Sequence, residues 1–383
     1  MSLIGRNEHP GGDVALLNQA GLDVTDAFIA YHPGTAWKYL DKFFTGYYLT
    51  DFKVSETSKD YRKLASEFAK LGLFEKKGHI TMYALASIVL MFCSVLYGVL
   101  CCQSVWAHLG SAVVLGFLWI QSAYIGHDSG HYQVMNTRGY NKLAQFLAGN
   151  SLTGISIAWW KWTHNAHHLS CNSLDYDPDL QHIPVFRGKF DFFQFYKVVL
   201  LWKTFLLLFS KRKFPDRALN ILGILIFWTW FPLLVSCIPN WPERVMFVLT
   251  SFAVTAIQHV QFCLNHFAAD VYIGLPEGND WFEKQTSGTL DISCSSWMDW
   301  FYGGLQFQLE HHLFPRMPRS QLRRISPVVQ DLCKKHNLSY RSLSFWEANV
   351  WTIRKLRNVA VQARDLANPV PKNMMWEAVN TLG

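Results

Sequence analysis

The sequence predicts an all-α membrane protein, with four transmembrane helices in two hairpins beneath a histidine-rich cap. Three observations carry this reading. The 383 residues are 50% apolar, 15% aromatic and only 16% charged, which excludes a disordered or collagen-like chain because disorder needs low hydrophobicity and high net charge. Charge is also absent in long runs: no Asp, Glu, Lys or Arg occurs in the 50 residues from Gly78 to His127, or in the 25-residue runs Ala218–Pro242 and Val245–Ala269. A helix needs about 20 apolar residues to span hydrocarbon, so the first run crosses twice. The other two runs, parted only by Glu243 and Arg244, make a second hairpin. Finally, histidines fall in tight clusters, the first of them where the first run ends.

Residues 1–50 are polar and turn-rich, with HPGG at 9–12 and HPG at 32–34. The opening MSLIGRNEHPGG lacks the apolar stretch of a signal peptide, so no cleaved leader is expected. Residues 51–77 place apolar residues at helical spacing among alternating charges, which suits a soluble linker helix on the membrane surface. The membrane domain is expected over 78–350, with spans at about 80–101, 106–126, 219–238 and 245–265. Within it, FLAGNSLTGISIAWW at 146–160 is uncharged but too short and too rich in Gly and Ser to cross, and so is buried, interfacial or re-entrant. The apolar run 192–209 is broken by Lys197 and Lys203. A full crossing there would put the residues after 266 opposite those after 127, so it is read as an interfacial amphipathic helix. A basic helical stretch runs from about Arg316 to Lys335, with Pro318 and Pro327 as turns or helix starts, and 351–383 forms a C-terminal tail.

The net charge of +7 does not indicate nucleic acid. Lys76 and Lys77 precede the first hairpin, and Lys211, Arg212, Lys213 and Arg217 precede the second. That is the cytoplasmic Lys/Arg bias of a membrane protein, not a basic groove. Eight cysteines without a CxxC pair read as reduced and structural, as in a cytosol-facing chain.

Of fifteen histidines, seven fall in three clusters: His127 and His131 in HDSGH, His164, His167 and His168 in HNAHH, and His311 and His312 in QLEHH, which Gln308 opens. Helix positions three and four apart share a face, and the two-hairpin topology brings all three clusters to one side. His266, in NHF after the last span, is a further candidate, as is His259 seven residues earlier on the same face. Neutral imidazole suits iron, copper and zinc. Seven to nine imidazoles exceed the four ligands of a structural zinc, and HExxH is absent. The set suits two metal ions with open positions, and histidine-held iron with an open position is chemistry for activating O2. Asp128, Glu310, Asp175, Asp177 and Asp179 are candidates to fix the imidazole tautomers.

HDSGH, HNAHH and QLEHH in this order, within AWWKWTHNAHH, NSLDYDPDLQH and FQLEHHLFPRMPR, resemble the three histidine boxes of membrane front-end desaturases. The likeness is greatest to plant sphingolipid Δ8 long-chain-base desaturases, with plant Δ6 acyl-lipid desaturases very similar. The resemblance implies a cytosolic di-iron cap in which His127, His131, His164, His167, His168, His311 and His312 ligate iron and His266 is the additional ligand after the last span. Gln308 is a weak ligand or an outer-sphere contact. HPGGD at 9–13, DVTDAF at 23–28 and YHPGTAWKYLDKF at 31–43 resemble the haem-binding half of cytochrome b5, which makes His9 and His32 the axial ligands of haem b. Bis-imidazole ligation leaves no open position and suits one-electron transfer. The sequence opens eight residues before His9, so a partial, N-terminally truncated cytochrome b5-like segment is expected. The stretch after QHIPVF at 181–186 is also shorter than in family members.

The implied activity is O2-dependent introduction of a Δ8 double bond into the long-chain base of a sphingolipid. The substrate would be ceramide or the free base in the endoplasmic reticulum membrane, with the active site and both termini in the cytosol. Electrons would come from NADH through a cytochrome b5 reductase, with a free cytochrome b5 as the alternative donor. A Δ6 front-end acyl-lipid desaturase and a related di-iron lipid hydroxylase remain open. A histidine-lined metal transporter would need polar residues through the bilayer centre, whereas apart from Gln258, His259 and Gln261 the spans are mostly apolar.

Overall fold

A computed structural model describes residues 9, 16, 19, 21–44, 46, 53–76, 79–173, 176–178, 216–272 and 281–365. The expected helix at 192–209, Asp175, Asp179 and the end of the C-terminal tail lie outside these residues.

The chain is mostly helical. Helix α1 (Thr25–Tyr31) and helix α2 (Glu56–Lys70) precede the membrane-type helices α3 (His79–Leu100) and α4 (Val105–Gly130). Helix α5 (Arg138–Ala144) runs into a π-helical turn, Gln145–Ser151, and helix α6 (Ile157–Leu169) carries HNAHH. A second long pair follows, α7 (Arg217–Ser236) and α8 (Trp241–Phe262). The N-termini obey capping chemistry: the side chains of Ser55, Ser156 and Asn240 accept from the backbone N–H three residues on, in α2, α6 and α8.

Three helices among the described residues are long and apolar enough to cross a membrane: Thr81–Leu100, Val105–Gly130 and Arg217–Ser236. Helix α8 has 22 residues but is not among them. It carries Glu243 and Arg244 at its start and Gln258, His259 and Gln261 at its end. Helix α4 lies at the centre and packs on both α3 and α8. The core between the helices joins Val95, Leu115, Leu118, Trp119, Phe227, Phe231, Leu234 and Phe247. Trp119 meets Phe231 and Phe252 edge-on at 5.2 and 5.6 Å. Facing outward are Met82, Val89, Leu90, Leu222, Leu225, Trp228, Leu249 and Ile257. Helices apolar on their outer faces need lipid there.

The uncharged segment at 146–160, expected to be buried, interfacial or re-entrant, is mostly buried, with Leu147 facing outward. Its π-turn wedges between α4 and α7. Trp230 Nε1 donates to the Ser151 carbonyl at 2.9 Å, and Asn220 Oδ1 accepts from Ser156 Oγ at 3.1 Å and from Ile157 N at 2.8 Å. These bonds satisfy the irregular backbone inside an apolar layer. Gly126 and Gly149 make the close approach possible: a Cβ on Gly126 would stand 2.6 Å from the Gly149 Cα.

The cap completes the fold. Helices α9 (Leu264–Phe267) and α10 (Trp281–Gly288) lead into strand β1 (Asp291–Ser293). Then come α11 (Asp299–Tyr302), α12 (Gln308–Leu313) with the third cluster, and α13 (Arg319–Lys335). Strand β2 (Ser342–Ser344) pairs parallel with β1, and α14 (Phe345–Asp365) ends the described chain. Helix α14 runs through position 350, where the sequence places the start of a separate tail.

Residues 56–70 within the expected linker are helical, and one face of α2 packs into the cap. Tyr61, Ala65 and Phe68 of α2 join Ala27 and Ala30 of α1 in one core with Leu169, Leu309, Leu313, Phe314, Leu322 and Val329. Tyr61 is fully buried and its hydroxyl donates to the Leu313 carbonyl at 2.9 Å. Helical spacing revealed an apolar stripe but not the surface it covers.

Candidate metal centre

The cap brings the histidine clusters together as two adjacent groups. His127, His131, His164, His168 and His311 form the first, and His167, Cys171, His266 and His312 form the second. In each group the potential ligand atoms lie within 4.8 Å of one another, and every member is buried. Helix geometry explains the division. His164 and His168 are one turn apart on α6 and share a face, whereas His167 is rotated about 100° from His168 and faces the second group. His311 and His312, consecutive on α12, part in the same way. The groups touch where the rings of His168 and His312 stack at 4.1 Å.

Second partners fix which nitrogen each ring presents. His127 Nδ1 donates to Asp128 Oδ1 at 2.9 Å, and Arg319 Nε donates to the other oxygen of that carboxylate at 2.5 Å. His167 Nδ1 donates to Asp177 Oδ2 at 2.8 Å, an oxygen that also accepts from the Asn172 backbone at 2.7 Å. His312 Nδ1 donates to Gln285 Oε1 at 2.8 Å. Since a carboxylate or amide oxygen only accepts, each Nδ1 carries the proton and each Nε2 keeps its lone pair. Burial holds His131, His168, His311 and His312 well below the usual imidazole range, reinforced by the neighbouring rings, so they are neutral as metal ligands must be.

The donor set fits a metal on a direct test. Nε2 of His131, His311 and His312 and Nδ1 of His168 are buried with no hydrogen-bond partner among the described residues. Buried imidazole nitrogens without partners would each cost about 1–3 kcal/mol unless something else satisfied them. A cation in each group would accept the Nε2 lone pairs there, those of His131 and His311 in the first and of His312 in the second.

Other candidates are placed differently. Gln308 belongs to neither group: its Nε2 is 2.6 Å from His266 Nε2, and its Oε1 accepts from Asn265 at 2.9 Å. His259 reaches neither group and lies 3.7 Å from Cys263 Sγ on its own helix. Helix α8 ends at Phe262 and α9 begins at Leu264, so His259 and His266 stand on separate helices. Glu310 turns away from the imidazoles to accept from the Tyr340 hydroxyl at 3.0 Å. Burial, with Asp291 alongside, pushes it well above the usual carboxylate range. Sequence reasoning missed two groups: Gln285, which has no motif around it, and Cys171, read as structural, whose sulfur lies 3.4 Å from His266 Nδ1.

At the N-terminal end the rings of His9 and His32 face each other with centroids 5.9 Å apart. His32 Nδ1 donates to the Phe28 carbonyl at 3.2 Å, and the Phe28 ring stacks on it at 4.2 Å. Burial, aided by His9, lowers its pKa to about 4. A neutral His32 with Nε2 free to ligate, opposite a second imidazole, fits bis-histidine haem.

Comparison with known proteins agrees with this arrangement. Residues 104–344 match the fatty acid desaturase family model, and residues 5–49 match that of the cytochrome b5-like haem/steroid binding domain. The chain is 66% identical to Delta(8)-fatty-acid desaturase 2 of Arabidopsis thaliana over 98% of its own length and 91% of the relative's. It is 54% identical to the acyl-lipid (9-3)-desaturase of Borago officinalis, over 98% and 91%. It is 33% identical to the Delta 8-(E)-sphingolipid desaturase of Emericella nidulans, over 67% of this chain and 54% of the relative. The Arabidopsis match runs over 408 positions, more than this chain's 383 residues, so that relative carries internal sequence that this chain lacks. With three histidine clusters gathered into one buried centre and a desaturase match across most of the membrane and cap helices, the chain belongs to the fatty acid desaturase family of lipid-acting oxidoreductases.

Proposed function

We propose that the chain is an O2-dependent desaturase that introduces a Δ8 double bond into the long-chain base of sphingolipids at the endoplasmic reticulum membrane. The observation that carries the reading is the pair of buried, histidine-rich groups, in each of which the potential ligand atoms lie within 4.8 Å of one another. The substrate follows from the 66% identity to a Δ8 desaturase and the 33% identity to a fungal Δ8 sphingolipid desaturase. The acyl-lipid rival matches at 54%.

Removing hydrogen from an unactivated methylene is beyond any side-chain acid or base. Two irons held by His127, His131, His164, His168 and His311 and by His167, His266 and His312 would supply that oxidising power when bound. The chain's own residues prepare the site. Asp128, Asp177 and Gln285 hold three rings with Nε2 directed inward, and Arg319 in turn anchors Asp128. The helices α3, α4, α7 and α8, crossing as two hairpins, set the cap on the cytosolic side and bring a lipid chain up to it from the bilayer. Haem b between His9 and His32 would deliver single electrons, drawn from NADH through a cytochrome b5 reductase.

Expression in a yeast lacking Δ8 desaturation, followed by mass spectrometry of long-chain bases and fatty acids, tests the assignment. Δ8-unsaturated bases without new Δ6 fatty acids are expected. Hydroxylated products would move the reading to a hydroxylase, and unchanged lipids from a membrane-inserted, iron-bearing protein would refute it.

A further inference from the structure

We propose that Tyr31 is the bridge over which electrons pass from the haem side of the chain to the metal ligands. The inference rests on the desaturase reading, in which His32 holds haem and His168 holds iron. Tyr31 is the last residue of α1 and directly precedes His32. The helix ends there, and His32 is extended (φ −114°, ψ 140°). The two consecutive side chains part. The His32 ring pairs with His9 at 5.9 Å, and the Tyr31 ring meets the His168 ring edge-on at 5.8 Å. A continuous covalent path therefore runs from the His32 imidazole through one peptide bond to the phenol ring, and a single van der Waals step completes it to a ligand of the first metal group.

The connection is held rigidly. Arg316, four residues after His312, donates to the His32 carbonyl. Ala27 and Ala30 of α1 share a core with Leu309 and Leu313 on either side of His311. Electron tunnelling decays exponentially with distance, and more steeply through space than along bonds, so a mostly covalent route fixed by packing outcompetes a loosely docked one. Each transfer takes one electron from ferrous haem, leaving it ferric, and turns one ferric ion of the metal pair ferrous. Two transfers precede each turnover, and a flavin-class NADH reductase restores the haem. Tyr31 is not itself oxidised. Its hydroxyl is buried with no hydrogen-bond partner among the described residues, so none of them is placed to take the proton a phenoxyl radical would shed. The ring alone matters.

The test uses the full chain loaded with haem and iron in nanodiscs. The haem is reduced anaerobically by a flash-generated donor, and its reoxidation by ferric iron is followed at the Soret band. Y31L is expected to slow reoxidation by about an order of magnitude while the haem spectrum, haem potential and iron content stay at wild-type values. Y31F restores most of the rate. Reoxidation of Y31L at the wild-type rate overturns the proposal, and so does a Y31F as slow as Y31L. If Y31L sheds haem or iron, Y31M is measured against the same two criteria, again with spectrum and metal content checked. A distinct failure, wild-type haem reoxidising no faster than in iron-stripped protein, would count against the haem-to-iron reading itself rather than against Tyr31.

Discussion

Gln285 offers the sharpest test of how the metal centre is held, because no sequence motif draws attention to it. It lies on α10, 1% exposed, with Oε1 accepting from His312 Nδ1 at 2.8 Å and Nε2 donating to the His168 carbonyl at 2.9 Å. Gln285→Leu keeps nearly the same volume but removes both bonds. The His312 N–H and the His168 carbonyl are then left buried with a partner lost, at a cost of about 1–3 kcal/mol each. More specifically, His312 no longer has its tautomer fixed. Loss of such a partner typically lowers metal affinity or activity by about 10–100-fold, which is about 1.4–2.7 kcal/mol. Iron per chain, measured after dialysis against graded chelator concentrations, should therefore fall at lower chelator in Q285L, together with lipid product. Gln285→Glu keeps the acceptor for His312 while setting an oxygen against the His168 carbonyl, so it should retain more iron than Q285L but less than wild type. Wild-type iron retention and product formation by Q285L would refute the orienting role.

Four further outcomes follow from the geometry. His168→Ala, at the contact between the two groups, should abolish iron retention and product, whereas His259→Ala, outside both, should keep iron and most activity; equal losses would return His259 to the ligand set. Gly126→Ala would put a methyl 2.6 Å from the Gly149 Cα; overpacking of this kind costs about 1–3 kcal/mol, so a lowered melting temperature and reduced iron content are expected, since His127 is the next residue. Tyr61→Phe removes the hydroxyl that donates to the Leu313 carbonyl and should cost about 1 kcal/mol with iron content unchanged. His32→Ala should eliminate the haem Soret band while leaving the iron stoichiometry at its wild-type value.

Much of this architecture is legible in the sequence because membrane helices and histidine clusters both leave local signals. A charge-free run of the right length marks α3, α4 and α7 without reference to any partner. Histidines at i, i+3 and i+4 report a shared helix side. The losses occur where the information is not local. Glu310 adjoins His311 in sequence, yet neighbours on a helix point about 100° apart, and it faces Tyr340 and Asp291. The relation of His259 to His266 assumes one unbroken helix, and the chain breaks at Cys263. The stripe Tyr61, Ala65 and Phe68 is visible as an amphipathic pattern, but its cover, Leu313 and Phe314, lies some 250 residues away in the chain. Gln285 reaches the centre only through tertiary packing of α10.

The way the clusters divide bears on how many ions they serve. HNAHH sends His164 and His168 to one group and His167 to the other, and the consecutive pair His311 and His312 splits likewise. Helical geometry forces this: side chains one position apart cannot converge on a point that those four apart already share. One ion in the first group would therefore leave the second group, His167, Cys171, His266 and His312, without an ion of its own, although Asp177 and Gln285 fix the tautomers of His167 and His312. Two ions would satisfy both groups, and the stacked rings of His168 and His312, 4.1 Å apart, would then stand between them. Tyr31 meets His168, the ring that stacks on His312, so an electron passing over it would reach a ligand that touches both groups.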